Sequence, residues 1–198
     1  ILNEMFIRSK FHFGIADERE LAGKMIDAVA QDVCYKDEPQ IWIFDRGFPS
    51  LSLIQKLLEH RLYFVMRVSS SFLKEVNAFR KSKYVDRVIH IEYSERRATQ
   101  NHVHSDGISQ FDLRCVRVKL PSGEDEILVT NLDRKDFPKR DIKEIYRLRW
   151  GIETGFNYLK NAVFVEEFVS KTENGLAQDY FVSLLVYNFA TCICGSMY

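Results

Sequence analysis

The strongest constraint on this chain is a short run, Ile41-Trp42-Ile43-Phe44, that contains no polar residue. A strand with one wet face alternates apolar and polar positions, so four apolar residues in a row describe a strand covered on both faces. The run stops at Asp45-Arg46-Gly47, a turn sequence. Ser50 then stands as a helix cap ahead of Leu51, Leu53, Ile54, Leu57 and Leu58, an apolar stripe at helical spacing. Strand character returns over residues 62–68. Strand, helix and strand in this order predict an α/β core with a parallel or mixed sheet. Upstream, residues 1–13 read as one strand or a hairpin. Asp17, with Glu20 three residues on, forms a capping box that predicts a helix through about Val33.

The character changes after residue 66. Residues 87–93 and 111–115 alternate, and residues 116–120 alternate in the shifted register, which predicts a bulge near Cys115. Pro121-Ser122-Gly123 makes a turn into another apolar run at 126–130. These strands read as antiparallel, with one face in solvent. Helical patterning resumes after Pro138. The chain therefore reads as three segments: a first core part at 1–66, a β-rich insertion at 67–140, and a second core part at 141–198.

Composition limits the classes of function. A length of 198 residues suffices for one core carrying a compact insertion. Lys+Arg and Asp+Glu both number 28, which excludes a polybasic tail and a binder held by bulk positive charge. Nucleic acid stays open as a partner, because the local field decides such binding. Residues 1–66 carry 8 basic and 10 acidic groups, residues 67–149 carry 18 and 13, and residues 150–198 carry 2 and 5. The positive excess thus lies in the β-rich segment and the approach to the next helix. Cys34, Cys115, Cys192 and Cys194 form no C-x-x-C pair and read as reduced core thiols of a cytosolic protein. The uncharged stretch 180–198 holds Ser183, Asn188, Thr191 and Ser196 without a basic flank, which predicts a buried core helix and no membrane partner.

The pattern from Ile145 to Lys160 predicts one helix. At about 100° per residue, Ile145, Leu148, Ile152, Phe156, Leu159 and Val163 share a core-facing arc of roughly 80°. Tyr146, Arg149, Glu153 and Lys160 share a second arc of roughly 60°, centred about 90° away. A phenol, two cations and a carboxylate would line the shoulder of a packed helix. Two explanations fit. Arg149 and Glu153 at i,i+4 make an ordinary surface pair worth about 0.3–0.5 kcal/mol, or the stripe is an active-site edge. Gly151 and Gly155 each weaken a helix by roughly 1 kcal/mol relative to Ala, which implies that something packs closely against them. Asp45 ends the buried strand, where α/β folds present functional groups, although a turn-forming Asp before Gly47 explains it too. Carboxylate oxygens from Asp45 and Glu153 suit divalent magnesium completed by substrate phosphates, and paired ions suit in-line displacement at phosphorus. Among lesser candidates, His102 and His104 lack a third ligand and read as an exposed loop. Ser69-Ser70-Ser71 reads as a linker. Arg80-Lys81-Ser82-Lys83 reads as a solvated face, with contact to a DNA backbone as the alternative.

Tyr146-x2-Arg149-x3-Glu153-x6-Lys160 resembles the Tyr-Arg-Glu-Lys signature of DDE transposases from bacterial insertion sequences. Leu128-Val129-Thr130-Asn131-Leu132, Phe44-Asp45-Arg46-Gly47 with Pro49-Ser50, and Glu167-Phe168-x-x-Lys171-Thr172 are similar to the same family, in the same order. The resemblance implies a ribonuclease H-like mixed sheet with flanking helices and a β-rich insertion between the second and third catalytic acids. It makes Asp45 the second metal-binding acid and Glu153 the third, with Tyr146, Arg149 and Lys160 near the DNA phosphates. It implies Mg2+, with Mn2+ as a substitute, and double-stranded DNA as partner, both transposon ends and target. A homodimer in the DNA complex and a cytoplasmic, nucleoid-associated location follow in the same way. No position here fills the family's first Asp, so the chain alone is expected to be inactive. The insertion carries no Trp to hold a flipped base, which leaves the hairpin route open. A ribonuclease H-like nuclease without strand transfer, or a non-enzymatic DNA-binding remnant, are the competing readings.

Overall fold

Asp17 begins the first helix as its chemistry allows, its carboxylate accepting from the backbone N–H groups of Arg19 (2.8 Å) and Glu20 (3.4 Å). The helix ends at Ala30, short of Val33. Ser50 caps the second helix in the same way, its hydroxyl accepting from the Leu53 N–H at 3.2 Å. The computed structural model describes residues 5–6, 9, 17–35, 37–92, 110–120, 123–162 and 170–195, apart from the side chains of 152, 156, 158–162, 194 and 195. The chain divides into two compact units, Asp17–Arg147 and a second made of Ile1–Ala16 with Leu148–Tyr198.

The first unit runs α1 (Glu18–Ala30), β1 (Ile41–Phe44), α2 (Leu51–Glu59), β2 (Tyr63–Arg67), α3 (Lys74–Lys81), β3 (Asp86–Glu92), β4 (Gln110–Lys119), β5 (Asp125–Thr130) and α4 (Lys139–Arg147). Its strands form one mixed sheet in the order β1-β2-β5-β4-β3. β1 and β2 are parallel, with Ile41 opposite Tyr63 and Phe44 opposite Met66, and α2 is the crossover between them. The remaining neighbours are antiparallel. The fold is thus the mixed α/β sheet with flanking helices expected, consistent with a ribonuclease H-like domain. The strands of the 67–140 segment continue the sheet that β1 and β2 begin.

Strict alternation sorts the sheet's side chains into two cores. Phe44, Phe64, Met66, Leu113, Cys115, Ile127 and Val129 face a layer made by Ile26 of α1, Leu51, Ile54 and Leu57 of α2, and Val76 and Phe79 of α3. Val65, Val116, Val118 and Leu128 face Ile142 and Tyr146 of α4 on the other side. This explains a misreading. β4 has no bulge at Cys115: its register runs unbroken from Glu92 opposite Gln110 to Asp86 opposite Val116, and from Arg114 opposite Thr130 to Lys119 opposite Asp125. Both faces of β4 are covered there, so its apolar residues change sides without any extra residue in the strand. At the hairpin that follows, Gly123 holds φ at +86°, a conformation that favours glycine.

The second unit contains α5 (Arg149–Ala162) and α6 (Glu173–Gly195). Leu184 and Tyr187 are buried, with Phe6 edge-on to Tyr187 at 5.1 Å between ring centres. Asn188 brackets the Phe6 backbone, its Nδ2 donating to the carbonyl (2.7 Å) and its Oδ1 accepting from the N–H (2.8 Å). A Cβ on Gly155 would stand 3.1 Å from the Tyr187 hydroxyl, so the close packing expected at this glycine is a contact between α5 and α6. α6 corrects the expectation of a wholly buried helix. Phe181, Val182, Leu185, Val186, Phe189 and Ile193 are 46–66% exposed, because a helix apolar all round has packed along one side only. Among the described residues, no helix is long and apolar enough to cross a membrane. The cysteines are corrected too: Cys115 is buried, but Cys34 and Cys192 are exposed.

Candidate active site

Asp45 follows the last residue of β1, and Arg67 is the last residue of β2, so the parallel pairing brings both to one edge of the sheet. Asp45 Oδ1 accepts a hydrogen bond from the Tyr146 hydroxyl at 3.2 Å, and Arg67 Nη1 stands 3.9 Å from the same oxygen. Arg67 is held in turn by Glu126, with Nε to Oε1 at 2.6 Å. The Asp45 side chain is 45% exposed, whereas Tyr146 as a residue is only 7% exposed. The Tyr146 ring belongs to the α4-side core, and its hydroxyl reaches the polar edge. Asp45 and Tyr146, two of the residues singled out in the sequence, lie 101 positions apart and meet in this hydrogen bond.

Two supports of this arrangement escaped the sequence reading. Thr130 and Asn131 continue the β2–β5 contact beyond the strand. Asn131 Nδ2 donates to the Leu62 carbonyl (2.9 Å), its Oδ1 accepts from the Phe64 N–H (3.0 Å), and Thr130 Oγ1 donates to the Phe64 carbonyl. The second support is Arg114 on β4. Its guanidinium binds Asp86 through Nε (3.0 Å) and Nη2 (2.8 Å), while Nη1 donates to the carbonyls of Leu132, Asp133 and Phe137. Arg114 thereby fixes the connection from β5 into α4, the helix that carries Tyr146. An Arg in a Leu-Arg-Cys alternation reads as a solvent-facing position, so only a buried acid elsewhere in the chain could have revealed it.

The predicted signature helix is broken. α4 ends at Arg147 and α5 starts at Arg149, with a tight turn closed by Gly151 N–H donating to the Leu148 carbonyl at 3.0 Å. The single 100° rotation does not carry through Leu148, which is exposed rather than core-facing. No Gly or Pro at 146–149 announces the break. On α5, Arg149 Nη1 binds Glu153 Oε1 at 2.5 Å, and the guanidinium lies 5.9 Å from the Trp150 ring centre. The Arg149 side chain is 13% exposed and that of Glu153 is 53% exposed. A cation in the first turn with its acid a turn later opposes the helix dipole, so helix stability is a poor reason for this pair. Lys160 is on α5, but its side chain lies outside the described residues, as do Glu167, Phe168, His102 and His104. Among the described residues, no group of three or more His, Cys, Asp or Glu stands together where it could hold a metal ion.

Residues 2–189 match the family described as the transposase DDE domain, which is nearly the whole chain. The chain belongs to that family. It is 26% identical, over 74% of its length, to a protein of Sinorhizobium fredii assigned as the transposase y4zB, covering 40% of that protein. It is 22% identical, over 89% of its length, to a Synechocystis protein assigned as the transposase of insertion sequence element IS4SA, covering 46% of it. A Geobacillus stearothermophilus protein assigned as the transposase of insertion sequence element IS5377 is 22% identical over 75% of this chain, which covers 38% of that relative. The chain thus spans less than half the length of these relatives.

Proposed function

We propose that this chain is the catalytic portion of a DNA transposase. The observation that carries the reading is the hydrogen bond from Tyr146 to Asp45 within a chain matching the transposase DDE domain over 2–189. Asp45 and Glu153 act as the second and third acids. Their half-exposed carboxylates are hard oxygen donors, which fits magnesium, an ion that takes few protein ligands and completes its shell with water and substrate phosphate oxygens. When bound, magnesium, with manganese as a substitute, supplies the Lewis acidity that stabilises charge on the phosphoryl oxygens.

The chain's own groups prepare and hold the substrate. Tyr146 donates to Asp45 and fixes the orientation of its carboxylate. Arg149 and Lys160 bind backbone phosphates of duplex DNA at the transposon end and the target, with two copies of the protein joining the ends. In the whole protein, water attacks a phosphodiester at the transposon end and releases a 3′-hydroxyl. That hydroxyl then attacks a target phosphodiester, joining one DNA to the other and freeing a new 3′-hydroxyl. The 198 residues alone bind without cutting, since none of their acids takes the place of the family's first Asp.

The test is made in the whole protein. Asp45→Ala and Glu153→Ala each abolish end cleavage and strand transfer while leaving end binding nearly unchanged, as read by gel assays on labelled ends. Full cleavage by either variant refutes the assignment.

A further inference from the structure

Five arginines lie at or near the sheet edge that presents Asp45, and they differ in what answers their charge. Arg67 is bound to Glu126. Arg117 is bound to Asp125 at 2.8 Å, and its Nη2 also donates to the carbonyls of Phe79, Arg80 and Ser82 at the end of α3. Arg87 lies over the Tyr84 ring, 4.6 Å from its centre. Arg46 and Arg80, among the described residues, have no carboxylate within ion-pairing distance. Arg46 follows Asp45 directly and is exposed.

Arg80, in the last turn of α3, is half-buried rather than solvated. Its Nη2 makes two long hydrogen bonds, to the carbonyls of Val68 (3.3 Å) and Ser69 (3.4 Å), and its Nε is buried without one. Burial, and after it the like charges of Arg46 and Arg117, pull the Arg80 pKa below the ordinary guanidinium range. Asp125 answers Arg117, so among the described residues the charge left without a carboxylate in this group belongs to Arg46 and Arg80. Exposed Lys81, the last residue of α3, and exposed Lys83 just past the helix extend it. Crowded cations without a carboxylate attract anions, and a guanidinium fork matches phosphate oxygens. A duplex backbone, with its regular succession of phosphates, is the anion that suits several cations in a row.

We propose that Arg46 and Arg80, flanked by Lys81 and Lys83, form a track for the DNA phosphate backbone at the carboxyl end of the β1–β2 pair, distinct from the Tyr146, Arg149 and Lys160 set. The track rests on the proposed function in that the duplex it holds is the one cut at Asp45. It contacts phosphates only, so it positions the duplex and does not read its sequence.

Fluorescence anisotropy of the 198-residue chain with labelled duplexes, titrated at salt concentrations from about 50 to about 200 mM, tests it. Arg46→Gln and Arg80→Gln each reduce the slope of log K against log salt by about 0.9, and weaken binding equally for unrelated sequences. Lys24→Gln removes the same charge from the exposed Lys24–Glu20 pair on α1 and leaves the slope unchanged. Arg46 has no hydrogen bond among the described residues, so its variant reads the charge even where loss of Arg80 loosens α3. An Arg46→Gln slope equal to that of Lys24→Gln overturns the track, and so does a wild-type chain that binds no duplex. Cleavage by the whole Asp45→Ala protein overturns the function instead and leaves the binding result untouched.

Discussion

Arg114 and Arg149 each grip a carboxylate, and the contrast between the two pairs separates scaffold from proposed site. Arg114 and Asp86 are 3% and 4% exposed, joined by two parallel hydrogen bonds, with the remaining Arg114 nitrogen spent on three backbone carbonyls. Taking both charges out of water is costly, and only this complete set of bonds offsets it. Arg149 and Glu153 meet on one helix, and the acid keeps half its side chain in solvent. On the proposed function that pair exchanges its partners, Arg149 taking a phosphate and Glu153 a cation. A buried pair that does so leaves a charge stranded.

The largest effect is therefore expected from breaking the buried pair. Arg114→Met strands Asp86 and lowers stability by about 3–5 kcal/mol in urea unfolding. The double variant Arg114→Met/Asp86→Leu loses much less than the two single losses together, because neither charge is left alone. Additive losses would show that the pair is no more coupled than the exposed one.

The second effect is on acid stability. Burial alone would raise the Asp86 pKa, but the hydrogen bonds and charge of Arg114, with Arg134 and Lys139 behind them, bring it below its ordinary value of 3.8. Asp27 is lowered likewise: burial raises it, and Lys56 and His60 outweigh that. A carboxylate depressed by folding contributes stability that is complete above its unfolded pKa, near 3.9, and is lost as pH falls through the folded value. Unfolding midpoints of the wild type should fall steeply below about pH 4, and Asp86→Asn, already weaker at neutral pH, should fall less over the same range. Equal slopes would remove Asp86 as the source.

This contrast also explains what the sequence could and could not disclose. The strand at 41–44, the caps Asp17 and Ser50, and the alternation of β3 to β5 are local patterns, and the elements they predict are present. The place of Asp45 at the end of β1 was legible because a strand end is a local pattern, whereas its contact with Tyr146 is not written in either segment alone. Arg114 was not, since its meaning depends on Asp86 on the neighbouring strand and on a connection 18 to 23 residues later. The phantom bulge at Cys115 has the same origin: a strand covered on both faces breaks alternation without breaking register. The turn at Leu148 has no marker in the residue types around it, so periodicity ran one helix through two.

The smallest stability effect is the one that most sharpens the comparison. Glu153→Gln removes the charge from an i,i+4 pair in the unfavourable order with respect to the helix dipole, and should change unfolding stability by less than about 0.5 kcal/mol. Arg149→Gln should cost slightly more, because its side chain is the more buried of the two. If α5 used the pair as scaffolding, both variants would approach the loss seen for Arg114→Met, and the division between the two regions would fail. If the pair is held for ligands, thermal and urea midpoints stay near wild type while cleavage in the whole protein disappears with Glu153→Gln. Near-neutral stability together with lost chemistry marks a charge kept for the substrate, since a structural role has no route to that combination.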